Sequence, residues 1–257
     1  MTNPRRTILI SGAGSGLGRG LSLHLAQQGH WVLVTDVKLE GAQETVEQIT
    51  AAGGQAQAQA LDVTSEQDIQ RVLRELGQRR IGTLINNAGL QHVAKIEEFP
   101  VAQWDLMLEV MLKGAFLLTR AVLPGMRAQG FGRIIQIGSI HSLVASPYKS
   151  AYVTAKHALV GFSKAIALET AGTEITVNTI CPSYIRTPLV EAQIKAQASA
   201  RQMPEEEIIQ RVMLQPMPKQ AFITFEEVAA AVEYLMSPLA RNVTGQTLTI
   251  DGGWTAQ

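Results

Sequence analysis

Three observations predict an α/β fold for this chain of 257 residues, built on a single doubly wound parallel sheet of about seven strands. Short apolar runs alternate with longer helical stretches along nearly the whole sequence, which is typical of parallel strands joined by crossover helices. A glycine-rich turn lies between the first strand and the first helix. No repeat or linker interrupts the alternation, so residues 1–257 are expected to form one domain.

The expected elements follow one another along the chain. Apolar runs of strand length lie near residues 6–11, 31–35, 56–61, 82–86, 132–139, 174–180 and 246–250. Stretches with helical length and pattern lie near residues 16–28, 39–52, 66–77, 101–128, 150–171 and 226–236.

The segment 187–218 departs from this alternation. It begins with an Ala/Gln-rich stretch and continues with Pro204 and the acidic residues 205–207, which are typical of a helix start. Because it follows the carboxyl end of a strand, the segment is placed to cover a ligand crevice. We therefore expect it to form a helical lid that moves on ligand binding.

Composition restricts the possible partners. The chain has 22 Lys and Arg against 22 Asp and Glu, so neither nucleic acid nor an anionic membrane is expected as an electrostatic partner. The single cysteine, Cys181, excludes an internal disulfide and suits a reducing cytoplasm. No long apolar run predicts a signal peptide or transmembrane helix, and no His/Cys/carboxylate spacing predicts a metal site.

The glycine turn predicts a site for a dinucleotide. The apolar strand 7–11 is followed by Gly12, Gly16 and Gly18, and then by a helical stretch. Glycines let the backbone approach a pyrophosphate, and the free N–H groups at a helix start favour an anion. Strand, turn and helix together are typical of the first half of a Rossmann-type unit.

Asp36 predicts which dinucleotide binds. It ends the second apolar run, where an acidic side chain can accept hydrogen bonds from the adenosine ribose and repel a 2′-phosphate. This position favours NAD as the coenzyme. The alternative is an aspartate that only caps the next helix.

Tyr152 and Lys156 predict acid–base chemistry. They are four residues apart and therefore share one face of a helix. A phenol has a pKa of about 10, and a nearby ammonium favours the phenolate. The pair can act as a general base for an alcohol and as a general acid for a ketone. Ser139, at the end of a strand, could hydrogen-bond the reacting oxygen, although Tyr and Lys also occur together on ordinary helix surfaces.

With these motifs the chain resembles the short-chain dehydrogenase/reductase family over essentially its whole length. The matching motifs are Gly12–Gly18, Asp62–Val63, Asn86–Gly89, Ser139, Tyr152, Lys156, Pro182 and Thr187. The resemblance implies that Ser139, Tyr152 and Lys156 are the catalytic residues. The implied coenzyme-binding residues are Gly12, Ser15, Gly16, Leu17, Gly18, Asp36, Asp62, Val63, Asn87, Ala88, Gly89, Tyr152, Lys156, Pro182 and Thr187.

A narrower resemblance, to the bacterial D-3-hydroxybutyrate dehydrogenases, bears on the substrate. It rests on residues 86–94, 139–144, 149–152, 187–194 and 251–254. In that group two glutamines, a histidine and a lysine bind the substrate carboxylate. Two potential cations and two amides beside the reacting hydroxyl suit a short hydroxy acid. The matching residues are Gln91, His141, Lys149 and Gln193.

This resemblance implies NAD-dependent, reversible oxidation of D-3-hydroxybutyrate to acetoacetate, a reaction of ketone-body metabolism. It also implies a cytoplasmic homotetramer, with the long helices near 101–128 and 150–171 as expected interface elements. Two other functions remain open. One is a related reductase of another ketone, hydroxy acid or sugar, and the other is a weakly active NAD-binding regulator.

Two segments depart from the family pattern, at residue 111 and at residues 183–184. Met111 stands where the family has an asparagine that distorts the helix and whose main-chain carbonyl holds a water linking the lysine to solvent. Methionine keeps the main-chain carbonyl but lacks the side-chain amide. The proton relay from the lysine to solvent therefore depends either on the shape of the helix, which methionine can keep, or on the amide, which it cannot supply. Ser183 and Tyr184 stand where the narrower group usually has glycine and tryptophan. Tyr184 is expected to close the pocket as an aromatic residue.

Overall fold

A computed structural model describes residues 5–256, and these residues form the predicted seven-stranded sheet. The expected single domain of residues 1–257 includes 1–4 and 257, which lie outside the described part. Every strand pair is parallel, in the order β3-β2-β1-β4-β5-β6-β7. The strands are Thr7–Ser11 (β1), Trp31–Asp36 (β2), Gln55–Ala60 (β3), Thr83–Asn86 (β4), Gly132–Ile137 (β5), Ile175–Pro182 (β6) and Thr247–Ile250 (β7).

The helices confirm the predicted alternation, with one difference. The helix expected near 101–128 is divided by a π-helical turn, Glu109–Lys113. A second π-helical turn, Ile209–Leu214, follows α8. The α-helices are Gly16–Gln27 (α1), Leu39–Ala51 (α2), Glu66–Glu75 (α3), Val101–Leu108 (α4), Gly114–Gln129 (α5), Ser150–Glu169 (α6), Pro188–Arg201 (α7), Glu205–Ile208 (α8) and Phe225–Met236 (α9).

Two apolar layers bury the two faces of the sheet. Successive side chains of a strand point to opposite faces. On β1, Ile8 and Ile10 therefore pack in the cluster that contains Leu21 of α1, whereas Leu9 packs in the cluster that contains Leu118 of α5. Because both faces are covered, the central strands are apolar at nearly every position, as in other parallel sheets.

Hydrogen bonds at the carboxyl ends of β1 and β4 position the glycine turn. Asn87 donates its backbone N–H to Ser11 Oγ at 3.1 Å. Its side-chain amide donates to the carbonyl oxygens of Ser11 at 3.0 Å and Gly12 at 2.9 Å. Gly12 has a φ of +62°, which an L-residue rarely adopts. The sheet order reverses between β1 and β4, so a crevice opens at this point.

The segment 187–218 is helical, as predicted, and has its own small core. Val190 and Ile194 of α7 pack with Ile208, Met213 and Met217. Its role as a mobile lid remains a prediction. None of the helices within residues 5–256 combines the length and apolarity needed to cross a bilayer.

We predict that Gly18→Ala lowers the free energy of unfolding by about 1–3 kcal/mol, because overpacking against fixed backbone is unfavourable. A Cβ at this position would overlap the Gly12 carbonyl oxygen and lie 2.6 Å from Asn87 Nδ2. Urea unfolding of the purified protein measures the change.

Gly161→Ala is the matched control, since it also lies within a helix but its Cβ would meet no atom within 4 Å. It should raise stability by about 0.5–1 kcal/mol, because alanine favours the helix over glycine. Equal effects of the two substitutions would show that the turn does not depend on this close approach.

Candidate active site

A cleft with a volume of about 400 Å³ opens at the carboxyl edge of the sheet. It extends from the turn after β1 to the start of α7. Eleven of the predicted coenzyme-binding residues lie on its walls, including both predicted catalytic residues of α6. They are Gly12, Ser15, Gly16, Leu17, Asp36, Asn87, Gly89, Tyr152, Lys156, Pro182 and Thr187.

The cleft has features that fit a dinucleotide. Helix α1 begins at Gly16, and the preceding Ser15 makes no side-chain capping bond to it. The first N–H groups of the helix are therefore available to an anion such as a pyrophosphate. Asp36 accepts hydrogen bonds from the backbone N–H groups of Gly14 and Lys38, both at 3.0 Å. These bonds fix a carboxylate on the cleft wall, where it can accept hydrogen bonds from ribose hydroxyls.

Four of the predicted coenzyme-binding residues do not lie on the cleft wall. Gly18 packs behind the turn, and Val63 is buried against Gly114 of α5. Ala88 donates its N–H to Ser11 Oγ at 3.1 Å. The Asp62 carboxylate accepts from the N–H and hydroxyl of Thr64, at 2.9 and 2.7 Å. Since their bonds are internal, these residues support the wall in this conformation.

The three predicted catalytic residues meet at the base of the cleft. Ser139 follows β5 and begins a short 3₁₀ turn, where its hydroxyl accepts the His141 N–H at 3.2 Å. Its side chain also hydrogen-bonds Tyr152, which lies in the first turn of α6. Lys156 follows one turn later, and its ammonium donates to the Ile137 carbonyl oxygen at 2.7 Å.

The pKa of Tyr152 differs from the sequence-based expectation. Burial of the phenol raises its pKa, and the hydrogen bond with Ser139 only partly opposes this. Lys156 is directed to Ile137 and lies 5.6 Å from the centre of the tyrosine ring. Burial also lowers the pKa of Lys156 to about 8. The expected lowering of the tyrosine pKa is therefore wrong for this arrangement, because desolvation of the phenol outweighs the hydrogen bond with Ser139.

Cys181 is a neighbour of the predicted catalytic residues, a contact that the sequence did not reveal. Its thiol is buried near the end of β6. It also hydrogen-bonds the Ser142 hydroxyl and the Ser139 backbone. Gly138 allows this approach, because a Cβ there would lie 2.7 Å from the sulfur. In the sequence, the only sign of this contact was Gly138, the glycine directly before Ser139, the predicted catalytic serine.

Met111 lies within the π-helical turn, so the helix is distorted without the family's asparagine. Its side chain is buried. A cavity of about 10 Å³ lies between Met111, Lys156 and Asn86. Such a space is about the size needed for one water molecule. The Asn86 Oδ1 atom is buried and has no hydrogen-bond partner among the described residues.

The four predicted substrate-binding residues form two pairs. Lys149 Nζ lies 3.4 Å from His141 Nε2, and the Gln193 amide donates to Gln91 Oε1 at 2.9 Å. The His141 ring is edge-on to Tyr152, with 6.1 Å between ring centres. None of the four lies on the wall of the open cleft. His141 lies against Tyr152 and the two glutamines bond each other, so the arrangement of all four residues around a reacting oxygen remains a prediction.

The first pair has an unusual charge state because it is buried. Burial, with the Lys149 charge second, lowers the pKa of His141 to about 3. Burial lowers the pKa of Lys149 to about 8, so at pH 7 the lysine is charged and the histidine neutral. An ammonium can only donate, so we assign His141 Nε2 as acceptor and its proton to Nδ1. That Nδ1 is buried and has no partner among residues 5–256.

Tyr148 and Tyr184 place Lys149 in the site. Tyr148 has a φ of +68°, a left-handed conformation that turns the chain directly before Lys149. The Tyr148 carbonyl oxygen accepts the Ala94 N–H at 3.1 Å, which anchors this turn. Lys149 Nζ donates to the Tyr184 hydroxyl at 3.3 Å. No local sequence pattern indicated either contact.

Comparisons with known proteins agree with this geometry. The family model described as short chain dehydrogenase matches residues 6–198. D-beta-hydroxybutyrate dehydrogenase of Rhizobium meliloti (strain 1021) is 42% identical, over 98% of this chain and 99% of that protein. The Cupriavidus necator enzyme of the same name is 40% identical, over 98% of each chain.

A solved structure from Beutenbergia cavernae has a TM-score of 0.88 and 33% identity, covering 98% of this chain and 97% of that one. It is described as a candidate NAD(P)-dependent gluconate 5-dehydrogenase with NADP bound at low occupancy. The similarity of fold therefore extends over nearly the whole of both chains.

We predict that Met111→Asn changes kcat by less than about threefold. The helix is already distorted with methionine, and the backbone carbonyl of residue 111 is the same in both variants. Steady-state kinetics with saturating coenzyme measure the change. A gain of tenfold or more, equal to about 1.4 kcal/mol in the barrier, would show instead that the amide itself is needed.

We predict that Lys149 makes stability depend on alkaline pH. Its folded-state pKa of about 8 lies below the usual 10.5, so between these values the unfolded chain holds a proton that the folded chain lacks. Stability therefore rises with pH across this window, by on the order of 3 kcal/mol for one such group. Urea unfolding of wild type and Lys149→Met should show this rise as a difference between them, and parallel pH profiles would contradict it.

Proposed function

The chain belongs to the short-chain dehydrogenase family, and we propose that it is an NAD-dependent D-3-hydroxybutyrate dehydrogenase, which interconverts this hydroxy acid and acetoacetate. One observation carries the proposal: Lys149 is a buried cation that contacts His141, and the His141 ring lies against Tyr152, the proposed catalytic tyrosine. Its ammonium contacts only neutral groups among the described residues, His141 and Tyr184. Since an unpaired buried charge is unfavourable, the site is complementary to a substrate anion.

In the proposed reaction, the chain handles the proton and orients the substrate. When bound, the nicotinamide coenzyme accepts or supplies a hydride. The protonated Tyr152 gives its proton to the ketone oxygen in reduction, and the phenolate that results takes the hydroxyl proton in the reverse oxidation. The Ser139 hydroxyl, which is hydrogen-bonded to Tyr152, also hydrogen-bonds the reacting oxygen of the substrate. Because burial raises its pKa, Tyr152 holds its proton at pH 7, which suits reduction of acetoacetate.

The four substrate-binding residues must rearrange for the carboxylate to enter. Gln91 and Gln193 bond each other, so a bound carboxylate has to displace or join that contact. Gln193 lies on α7, within the segment 187–218. We propose that opening and closing of this lid moves Gln193 onto the substrate, as in other enzymes with covering helices.

The exposed apolar residues of α4, α5 and α6 support the proposed homotetramer. Val101, Leu106 and Phe116 are 74%, 44% and 42% exposed, and Leu168 is 79% exposed. Exposed apolar residues concentrated on a few helices are compatible with a subunit interface there. We further propose a cytoplasmic location, with neither membrane nor nucleic acid as partner, in line with the balanced charge of the chain.

A substrate panel tests the proposed activity. D-3-hydroxybutyrate should exceed gluconate, L-3-hydroxybutyrate and 2-butanol in kcat/KM. Gluconate represents the second candidate, a sugar-acid dehydrogenase, which the Beutenbergia cavernae structure favours. Tight NADH binding without turnover of any panel member would support the third, a regulator.

We predict that Lys149→Ala lowers kcat/KM for D-3-hydroxybutyrate by about 10- to 100-fold, because a charge-assisted hydrogen bond is lost in a closed site. Turnover of 2-butanol should change less than threefold. Lys164→Ala, an exposed lysine of α6, is the control and should behave as wild type. Equal losses on both substrates would assign Lys149 to folding or coenzyme binding.

We predict that NAD is preferred to NADP at least several-fold, and that Asp36→Ala removes most of this preference. Two like charges about 4 Å apart repel by about 1 to 4 kcal/mol near a surface, and Asp36 would face the 2′-phosphate. Initial rates with both coenzymes at a fixed substrate concentration provide the ratio. Equal kcat/KM values for the two coenzymes in wild type would argue against this role.

A further inference from the structure

Tyr184 lies between the lid and the catalytic residues. It follows β6, packs against the apolar cluster of the lid, and stacks at 30° on Trp254 with 6.1 Å between ring centres. Trp254 in turn is edge-on to the His141 ring, with 5.9 Å between ring centres. The hydroxyl group of Tyr184 lies 3.3 Å from Lys149 Nζ. An aromatic residue was expected to close the pocket here, but the hydroxyl places a polar group inside it.

The hydrogen bond from Lys149 to Tyr184 leaves the hydroxyl proton of Tyr184 without an acceptor. An ammonium donates and cannot accept, so the Tyr184 oxygen is the acceptor. The tyrosine O–H must therefore point elsewhere, and no acceptor for it is present among the described residues. Burial raises the pKa of Tyr184 to about 12, so the proton stays on the oxygen throughout the neutral range.

His141, the other neighbour of Lys149, also carries a donor without an acceptor. Its Nδ1 is buried and has no hydrogen-bond partner within residues 5–256. Lys149 itself has three N–H bonds, of which two are directed to His141 and Tyr184. An excess of donors over acceptors in a buried site is complementary to an anion with two acceptor oxygens.

We propose that Tyr184 is a further substrate-binding residue, whose O–H and one N–H of Lys149 donate to the two oxygens of the substrate carboxylate. The inference rests on the proposed function only in taking the substrate to be a carboxylic acid. A tryptophan, which the resemblance gives for related enzymes, could not accept a bond from Lys149, because its indole N–H only donates. Tyr184 thus binds the carboxylate and also holds the lysine that pairs with it.

Tyr184→Phe tests the proposal, because it keeps the ring and removes only the hydroxyl. Isothermal calorimetry on the NADH complex is performed with butyrate and with its neutral isostere butyramide. The expected result is at least tenfold weaker binding of butyrate, with butyramide unchanged within twofold. Tyr234→Phe, a half-exposed tyrosine of α9, is the matched control and should leave both affinities unchanged.

Three outcomes would overturn the proposal. Unchanged butyrate affinity in Tyr184→Phe would show that the hydroxyl makes no contact with the carboxylate. Equal losses for butyrate and butyramide would show that Tyr184 acts through packing. Absence of butyrate binding to wild type would show that no carboxylate site exists at Lys149.

The same proteins separate this inference from the proposed function. Oxidation of D-3-hydroxybutyrate by wild type is measured independently of butyrate binding. If butyrate binding depends on Tyr184 but D-3-hydroxybutyrate is not oxidised, the carboxylate site stands and the substrate is a different acid. If D-3-hydroxybutyrate is oxidised, Tyr184→Phe should raise its KM at least tenfold and change kcat less than threefold.

Discussion

The hydrogen bonds between Asn87 and the end of β1 are the contacts on which the rest of the site depends. They join the carboxyl ends of β1 and β4 at the place where the strand order reverses. The glycine turn on one side and the segment that leads to Gln91 on the other are fixed by this junction. Lys156 faces the same crevice from α6 and is held by a carbonyl oxygen of β5. The glycine turn, the segment that follows β4 and Lys156 thus meet at one edge of the sheet.

Burial of cations without carboxylate partners gives the site its chemistry. Lys149 and Lys156 are 6% and 4% exposed, and burial lowers the pKa of each to about 8. Each contacts neutral acceptors only, which compensate a charge less well than an anion does. This arrangement is unfavourable for the free protein, and it is the physical basis of the proposed affinity for an anion. The same burial raises the pKa of Tyr152, so the proton is held where a carbonyl oxygen can receive it.

The position of Met111 shows how far a family motif can predict a site. The π-helical turn is present without the asparagine, next to the tight contact of Gly114 with Val63, where a Cβ would lie 2.7 Å from Val63 Cγ2. The distorted helix therefore packs closely against the loop that follows β3. The tyrosine pKa was misjudged for a related reason. The expectation considered only the nearby ammonium of Lys156 and left out the desolvation that the whole fold imposes.

The sequence by itself determined the α/β class, the order of strands and helices, the glycine turn and the spacing of Tyr152 with Lys156. Those features depend on periodicity and on residues within one or two turns of each other, which short stretches of sequence contain. Only the tertiary structure decided which distant groups meet and how deeply they are buried. Gln91 bonds Gln193, which is 102 residues away, and Lys149 bonds Tyr184, which is 35 residues away. Contacts and desolvation of this kind arise when remote segments pack together, and no local pattern encodes them.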